Sequence, residues 1–167
     1  MESVSIFQKW ISPDVDKSSL PSLRDPKVRD GVYKLIPSSP QIEHRMLIQE
    51  LLCEEVIYRR QLWEHQRSDD DCFENLYLCA FLLCRLKIVG DVYHLWEVKH
   101  INMDVGSIID AFYFVGSGVD QTLHFLEKEG CDKSKQILQY IKDSQVTDED
   151  YEEWSLEQVD YHEISLA

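Results

Sequence analysis

Every proline in this chain lies within its first forty residues, at Pro13, Pro21, Pro26, Pro37 and Pro40. Proline lacks the amide hydrogen a helix interior needs, and its ring clashes with the turn before it. The spacing therefore predicts an irregular segment over residues 1–40, with short turns at most around 20–23 and 28–35. Phe7, Trp10, Ile11, Val32, Tyr33 and Ile36 lie within it. Such apolar side chains predict that the segment lies across the rest of the protein. From residue 41 onward the breaker is absent, and apolar residues recur at intervals of three and four.

Residues 41 to about 67 form the longest such run. Ile42, Met46, Leu47, Ile48, Leu51, Leu52, Val56, Ile57, Leu62 and Trp63 are its apolar positions, and Glu43, Glu50, Glu54 and Arg60 its charged face. Ser38 or Ser39 is the expected cap, with Pro40 in the first turn. Asp69, Asp70 and Asp71 then separate it from a second helix over 72–89, apolar around most of its circumference and therefore central. Three successive acids have the donor chemistry of a metal site, but at a helix start they serve first as caps that complement the dipole. Gly90 ends this helix, and Asp91 opens a third that runs to about residue 100. Asp104 is the expected N-cap of a helix over 105–115. Residues 108–115 (IIDAFYFV) are strand-like in composition, yet an Asp cap before them and a Gly turn after them favour a short buried helix. The Gly116-Ser117-Gly118 turn leads to a helix over 119–129 closed by Gly130, then to one over 132–142. Thr147 to Asp150 has the pattern of a capped start to a final short helix bearing Tyr151 and Trp154.

No segment sustains the alternation of a half-buried strand. The predicted class is all-α: a single domain of stacked helical hairpins, solenoid-like or an irregular bundle. It comprises the N-terminal segment (1–40), a helical core (41–142) and an acidic C-terminal segment (143–167). Helix, glycine, helix recurs around Gly90 and Gly118, and residues 83–99 are similar to a tetratricopeptide hairpin. Tyr93, Leu95 and Trp96 replace the small residues that repeat needs.

Charge concentrates at the C-terminus. The chain carries a formal charge of −14, from 31 acids against 17 bases. Residues 143–167 contribute nine acids (Asp143, Asp148, Glu149, Asp150, Glu152, Glu153, Glu157, Asp160 and Glu163) and no Lys or Arg. Such acidity predicts repulsion from nucleic acid and anionic lipid, and suits a basic protein partner. The first eleven residues lack the pattern of a secretory leader. Cys53, Cys72, Cys79, Cys84 and Cys131 form no CxxC pair, and four of them sit in apolar helical patterns. They read as buried small hydrophobes in a reducing compartment, which predicts the cytoplasm.

The chemistry-bearing residues do not assemble into a known motif. The six histidines are scattered, with no HExxH and no Cys/His cluster, so no metal or cofactor is expected. No GxSxG elbow is present, and Gly116-Ser117-Gly118 lacks the GKS ending of a phosphate loop. The aromatics between residues 93 and 114 stand at helical spacing and read as core.

Trp96, Lys99, Asn102 and Asp104, then Asp110, then Gly116, Gly118, Val119, Thr122 and Leu123 form a W-x-x-K-x-x-N-x-D … G-x-G-V-x-x-T-L pattern. This segment resembles small bacterial all-helical proteins of the kind that act as immunity partners in polymorphic toxin systems. The resemblance covers about a quarter of the chain. It implies a helical fold and a cytoplasmic protein that binds and neutralises a cognate toxin.

The expected function is accordingly that of a non-enzymatic binding protein, an immunity or antitoxin-type inhibitor of a basic toxin or nuclease. Carboxylates would occupy the places of substrate phosphates while aromatics supply anchor area. The expected contact residues are Asp148, Glu149, Asp150, Tyr151, Glu152, Glu153, Trp154 and Glu157, with Asp69, Asp70 and Asp71 as a second patch. A helical-repeat adaptor or chaperone holding a peptide in an aromatic groove between residues 72 and 126 is the alternative reading. An enzyme lacking any recognisable motif is the third.

Overall fold

The computed structural model describes residues 2–12, 14, 17–65, 72 and 74–162. Among them there is no β-strand, and the architecture is all-α. The α-helices are α1 (Glu2–Ile11), α2 (Pro26–Tyr33), α3 (Arg45–Glu64), α4 (Asn75–Arg85), α5 (Val92–Lys99), α6 (Met103–Ile108), α7 (Val119–Glu129), α8 (Asp132–Ser144) and α9 (Asp148–Tyr161). None of these is long and apolar enough to cross a membrane. The chain divides into two compact units, the first ending at Leu83 and the second running from Cys84.

In the first unit the N-terminal segment is more regular than its prolines suggest. α1 precedes the first proline, so nothing interrupts it. Pro26 stands at the first position of α2, where a missing amide hydrogen costs nothing, and the Asp25 carboxylate accepts from the Lys27 amide at 2.9 Å. Pro21 lies inside a 3-10 helix, Lys17–Arg24. Ile6, Trp10, Leu23, Val32, Tyr33 and Ile36 are buried, and α1 and the 3-10 helix pack on α3. α3 starts after a 3-10 turn, Ile42–His44. There the Gln41 amide donates to His44 Nδ1 at 2.9 Å, in place of a Ser38 or Ser39 cap. Its inner face buries Leu47, Ile48, Leu51 and Leu52, each worth about 1.5–3 kcal/mol.

A buried ion pair crosses this core. Arg29 donates from Nε and Nη2 to the two Glu55 oxygens, at 2.7 and 3.2 Å. Its Nη1 reaches the carbonyl oxygens of Leu23 and Arg24, and the Tyr33 hydroxyl donates to Glu55 at 3.1 Å.

In the second unit the connections are set by caps. α4 ends at Arg85, four residues earlier than the sequence predicts, in a turn where Lys87 takes the left-handed conformation (φ 56°). A 3-10 turn, Val89–Asp91, then leads into α5. Asn102, rather than Asp104, caps the next helix, its Oδ1 accepting from the Val105 amide at 2.9 Å. The expected helix over 105–115 is two pieces, α6 and a 3-10 helix Ala111–Phe114. Asp110 caps the second piece through the Phe112 amide at 3.0 Å. Asp110 is itself a strong cap, so it starts a new helix and breaks the old one. Gly118 sits at φ 103°, and Gly130 closes α7 at φ 64°; both conformations favour glycine. Cys79 and Cys84 are buried as expected, whereas Cys53 and Cys131 are exposed. No disulfide is formed among the described residues.

Candidate functional site

The acidic segment is a helix with a fixed seat. Thr147 caps α9, accepting from the Asp150 amide at 3.1 Å, while Asp150 Oδ2 accepts from the Thr147 amide at 3.1 Å and its hydroxyl at 2.7 Å. This reciprocal arrangement fixes the first turn. Asp148 reaches elsewhere: its Oδ1 accepts from the Val119 amide at 2.8 Å, the first residue of α7. Gly118 has no side chain to cap that helix, so Asp148 does so from 29 positions away.

Aromatic packing orients the rest of the helix. Trp154 stacks on Phe112 (centroids 5.4 Å apart, planes at 14°) and meets Tyr113 edge-on at 4.9 Å. Tyr151 is 3% exposed, with its hydroxyl 3.7 Å from Cys84 Sγ. Burial raises both the Tyr151 phenol and the Cys84 thiol, the latter to about 12, so neither ionises near neutrality. Arg85 Nη1 donates to Ser155 Oγ at 2.8 Å, and Val159 closes the buried stripe. α9 therefore buries the face bearing Tyr151, Ser155 and Val159.

The opposite face is acidic. Glu149, Glu152, Glu153, Glu157 and Asp160 are all exposed, and at about 100° per residue they fall on one side of the helix. Two apolar side chains accompany them: Leu156 is 61% exposed and Tyr161 62%. Like charges spaced three and four residues apart, such as Glu149 with Glu153 and Glu153 with Glu157, each destabilise a helix by about 0.2–0.5 kcal/mol. A cationic partner would relieve that repulsion.

The expected contact residues thus separate by role. Glu149, Glu152, Glu153 and Glu157 face outward together. Asp148 and Asp150 hold caps, and Tyr151 and Trp154 pack within their own unit. Leu156, Asp160 and Tyr161 share the exposed side, though they are not among the expected contact residues. Asp69, Asp70 and Asp71 lie outside the described residues.

The spacing of the W-x-x-K-x-x-N-x-D segment has a structural meaning. Lys99 Nζ donates to the carbonyls of Gly106 and Ile109 at 2.6 and 2.7 Å, fastening the end of α6, and lies 4.7 Å from the centre of the Tyr140 ring. Trp96 packs on Phe114 and Tyr140. Thr122 Oγ1 donates to the Gly118 carbonyl at 2.8 Å. These residues are caps and packing.

No three His, Cys, Asp or Glu side chains gather among the described residues to hold a metal. A groove of about 360 Å³ is lined by Arg24, Glu54, Ile57, Tyr58 and Gln61, with one carboxylate and no histidine.

A second surface escaped the sequence reading. Ile42, Met46, Ile57 and Trp63, counted above with Leu47 and Leu51 among the apolar positions of the run, are 67%, 44%, 47% and 65% exposed. The signal was present in the apolar positions of residues 42–63, which spread too far around the helix for one buried stripe.

Fold and surface together define an all-α protein presenting an acidic helix face seeded with apolar side chains. No family model, curated protein or solved structure matches the chain.

Proposed function

We propose that this protein is a binding protein of the immunity or antitoxin type. It neutralises a basic toxin, such as a nuclease, by laying the outer face of α9 over the toxin's cationic cleft. The supporting observation is the division of labour along α9. Tyr151, Ser155 and Val159 hold the helix in place, while Glu149, Glu152, Glu153, Glu157 and Asp160 point away with no base among them. Preorganised charge of this kind steers a cationic partner at long range and occupies the positions its phosphate ligands would take. Leu156 and Tyr161 supply apolar contact area at the centre and end of the same face.

Truncating the segment is a poor test, because Tyr151 and Val159 belong to the core. The informative variant is E149Q/E152Q/E153Q/E157Q, which keeps shape and burial. The candidate partner is the product of the adjacent gene, produced as a purified domain. The wild type should bind it with an affinity that falls at least tenfold as salt rises from about 50 to 300 mM. The variant should bind about 100-fold more weakly and fail to rescue growth on co-expression. Affinity indifferent to both salt and the four substitutions would rule this reading out.

A further inference from the structure

α3 is apolar on two faces. The inner one is core; the outer one carries Met46 and Ile57, with the exposed Cys53 between them. Met46, Glu50, Cys53, Ile57, Arg60 and Glu64 alternate in steps of four and three, the spacing of a coiled-coil seam, and fall within an arc of about 80°.

The order of these residues is self-complementary in one direction only. Aligning a second α3 antiparallel, about a two-fold axis midway between Cys53 and Ile57, sets Cys53 against Ile57 of the second copy. The same register sets Arg60 against Glu50 of the second copy, and Met46 against the aliphatic stem of Glu64. Each contact occurs twice, as a two-fold interface requires. A parallel, in-register alignment would stack Arg60 on Arg60 and Glu50 on Glu50, and like charges there disfavour it.

We propose that this protein self-associates as a symmetric dimer through the outer face of α3, the two helices running antiparallel. The surface belongs to the first unit and the acidic face of α9 to the second, so either can fail without the other. A single helix pair is small beside the roughly 1,200–2,000 Å² of stable interfaces, so the dimer forms in the micromolar range.

Sedimentation of the full chain from about 1 to 200 μM tests this. The wild type should pass from monomer to dimer across that range. Ile57→Lys and Met46→Lys should remain monomeric with unchanged far-ultraviolet circular dichroism and melting temperature, because both positions are already exposed. Arg60→Glu should weaken association about tenfold, and the swapped double variant E50R/R60E should restore it. A wild type still monomeric at the top concentration, or an Ile57→Lys variant as dimeric as wild type, overturns the proposal. A double swap no better than Arg60→Glu alone overturns the antiparallel register.

Discussion

Arg29 and Glu55 form a two-armed ion pair with 0% and 1% of their side chains exposed. Burial pushes the Glu55 carboxyl up from its ordinary value, against the opposing pull of the Arg29 guanidinium and the Tyr33 hydroxyl. Removing one partner strands the other in the core. Arg29→Met should therefore cost about 3–5 kcal/mol in urea unfolding, whereas R29M/E55M should recover much of that loss. The single variant should also gain a pH dependence. With Glu55 raised further, its folded form keeps a proton that the unfolded chain gives up near pH 4.5. Stability would be highest below that pH and would fall as pH rises toward the new folded value.

Asp148 belongs to α9 in sequence and to α7 in effect. Losing its bond to the Val119 amide leaves α7 with Gly118 and no side-chain cap. Asp148→Ala should cost about 1 kcal/mol by thermal or urea unfolding. Hydrogen exchange should speed up first at the Val119 and Asp120 amides. Glu149→Ala, one position along on the outward face, should leave stability within about 0.5 kcal/mol of wild type.

Local chemistry made some elements legible and left others hidden. The bounds of α7 follow from Gly118 and Gly130 alone, and the start of α9 from Thr147 and Asp150, because those signals act within four residues. Residues 1–40 look irregular only if every proline is counted as a breaker. Pro26, preceded by Asp25, is instead a helix start, and α1 needs no more than its own ten residues. Asn102 and Asp104 are both good caps two positions apart, so sequence does not decide between them; the backbone does. The end of α4 at Arg85 carries no local mark, since Lys87 takes a conformation usually left to glycine. The Arg29–Glu55 pair spans 26 positions, and no periodicity reports a contact at that distance. For the acidic face, the charges were plain, but which aromatics faced inward depended on Phe112 and Tyr113 lying beneath Trp154.

Lys87 and two glycines give opposed expectations from one argument. A β-carbon on Gly116 would land on the Cys84 carbonyl oxygen, whereas one on Gly90 would meet nothing within 4 Å. Gly116→Ala should therefore be clearly destabilising, by about 1–3 kcal/mol as backbone shifts to make room. Gly90→Ala should be neutral or stabilising by about 0.4–1 kcal/mol, since Gly90 does not adopt positive φ and alanine restricts the unfolded chain. Lys87→Gly should stabilise by up to about 1 kcal/mol by relieving the left-handed conformation. Thermal melts of the three variants, taken together, check the turn geometry before α5 and before α7.

His162 closes α9, with its ring 5.0 Å from that of Tyr161. Burial lowers its imidazole to about 4, below the ordinary 6.5. Above pH 6.5 the ring is neutral in folded and unfolded chains alike, and it contributes no pH dependence. As pH falls below 6.5 the unfolded chain takes up a proton that the folded protein refuses, so stability declines until pH approaches 4. Carboxylates titrate mainly below pH 5, which leaves the window from 6.5 to 5 to the histidines. The other histidines are unchanged in His162→Gln, so a comparison with wild type isolates this ring. Wild type should lose melting temperature across that window relative to the variant, and amide exchange in the last turn of α9 should quicken first. An NMR titration should show the His162 ring still neutral at pH 5; a midpoint near 6.5 would mean that the end of α9 is open to solvent.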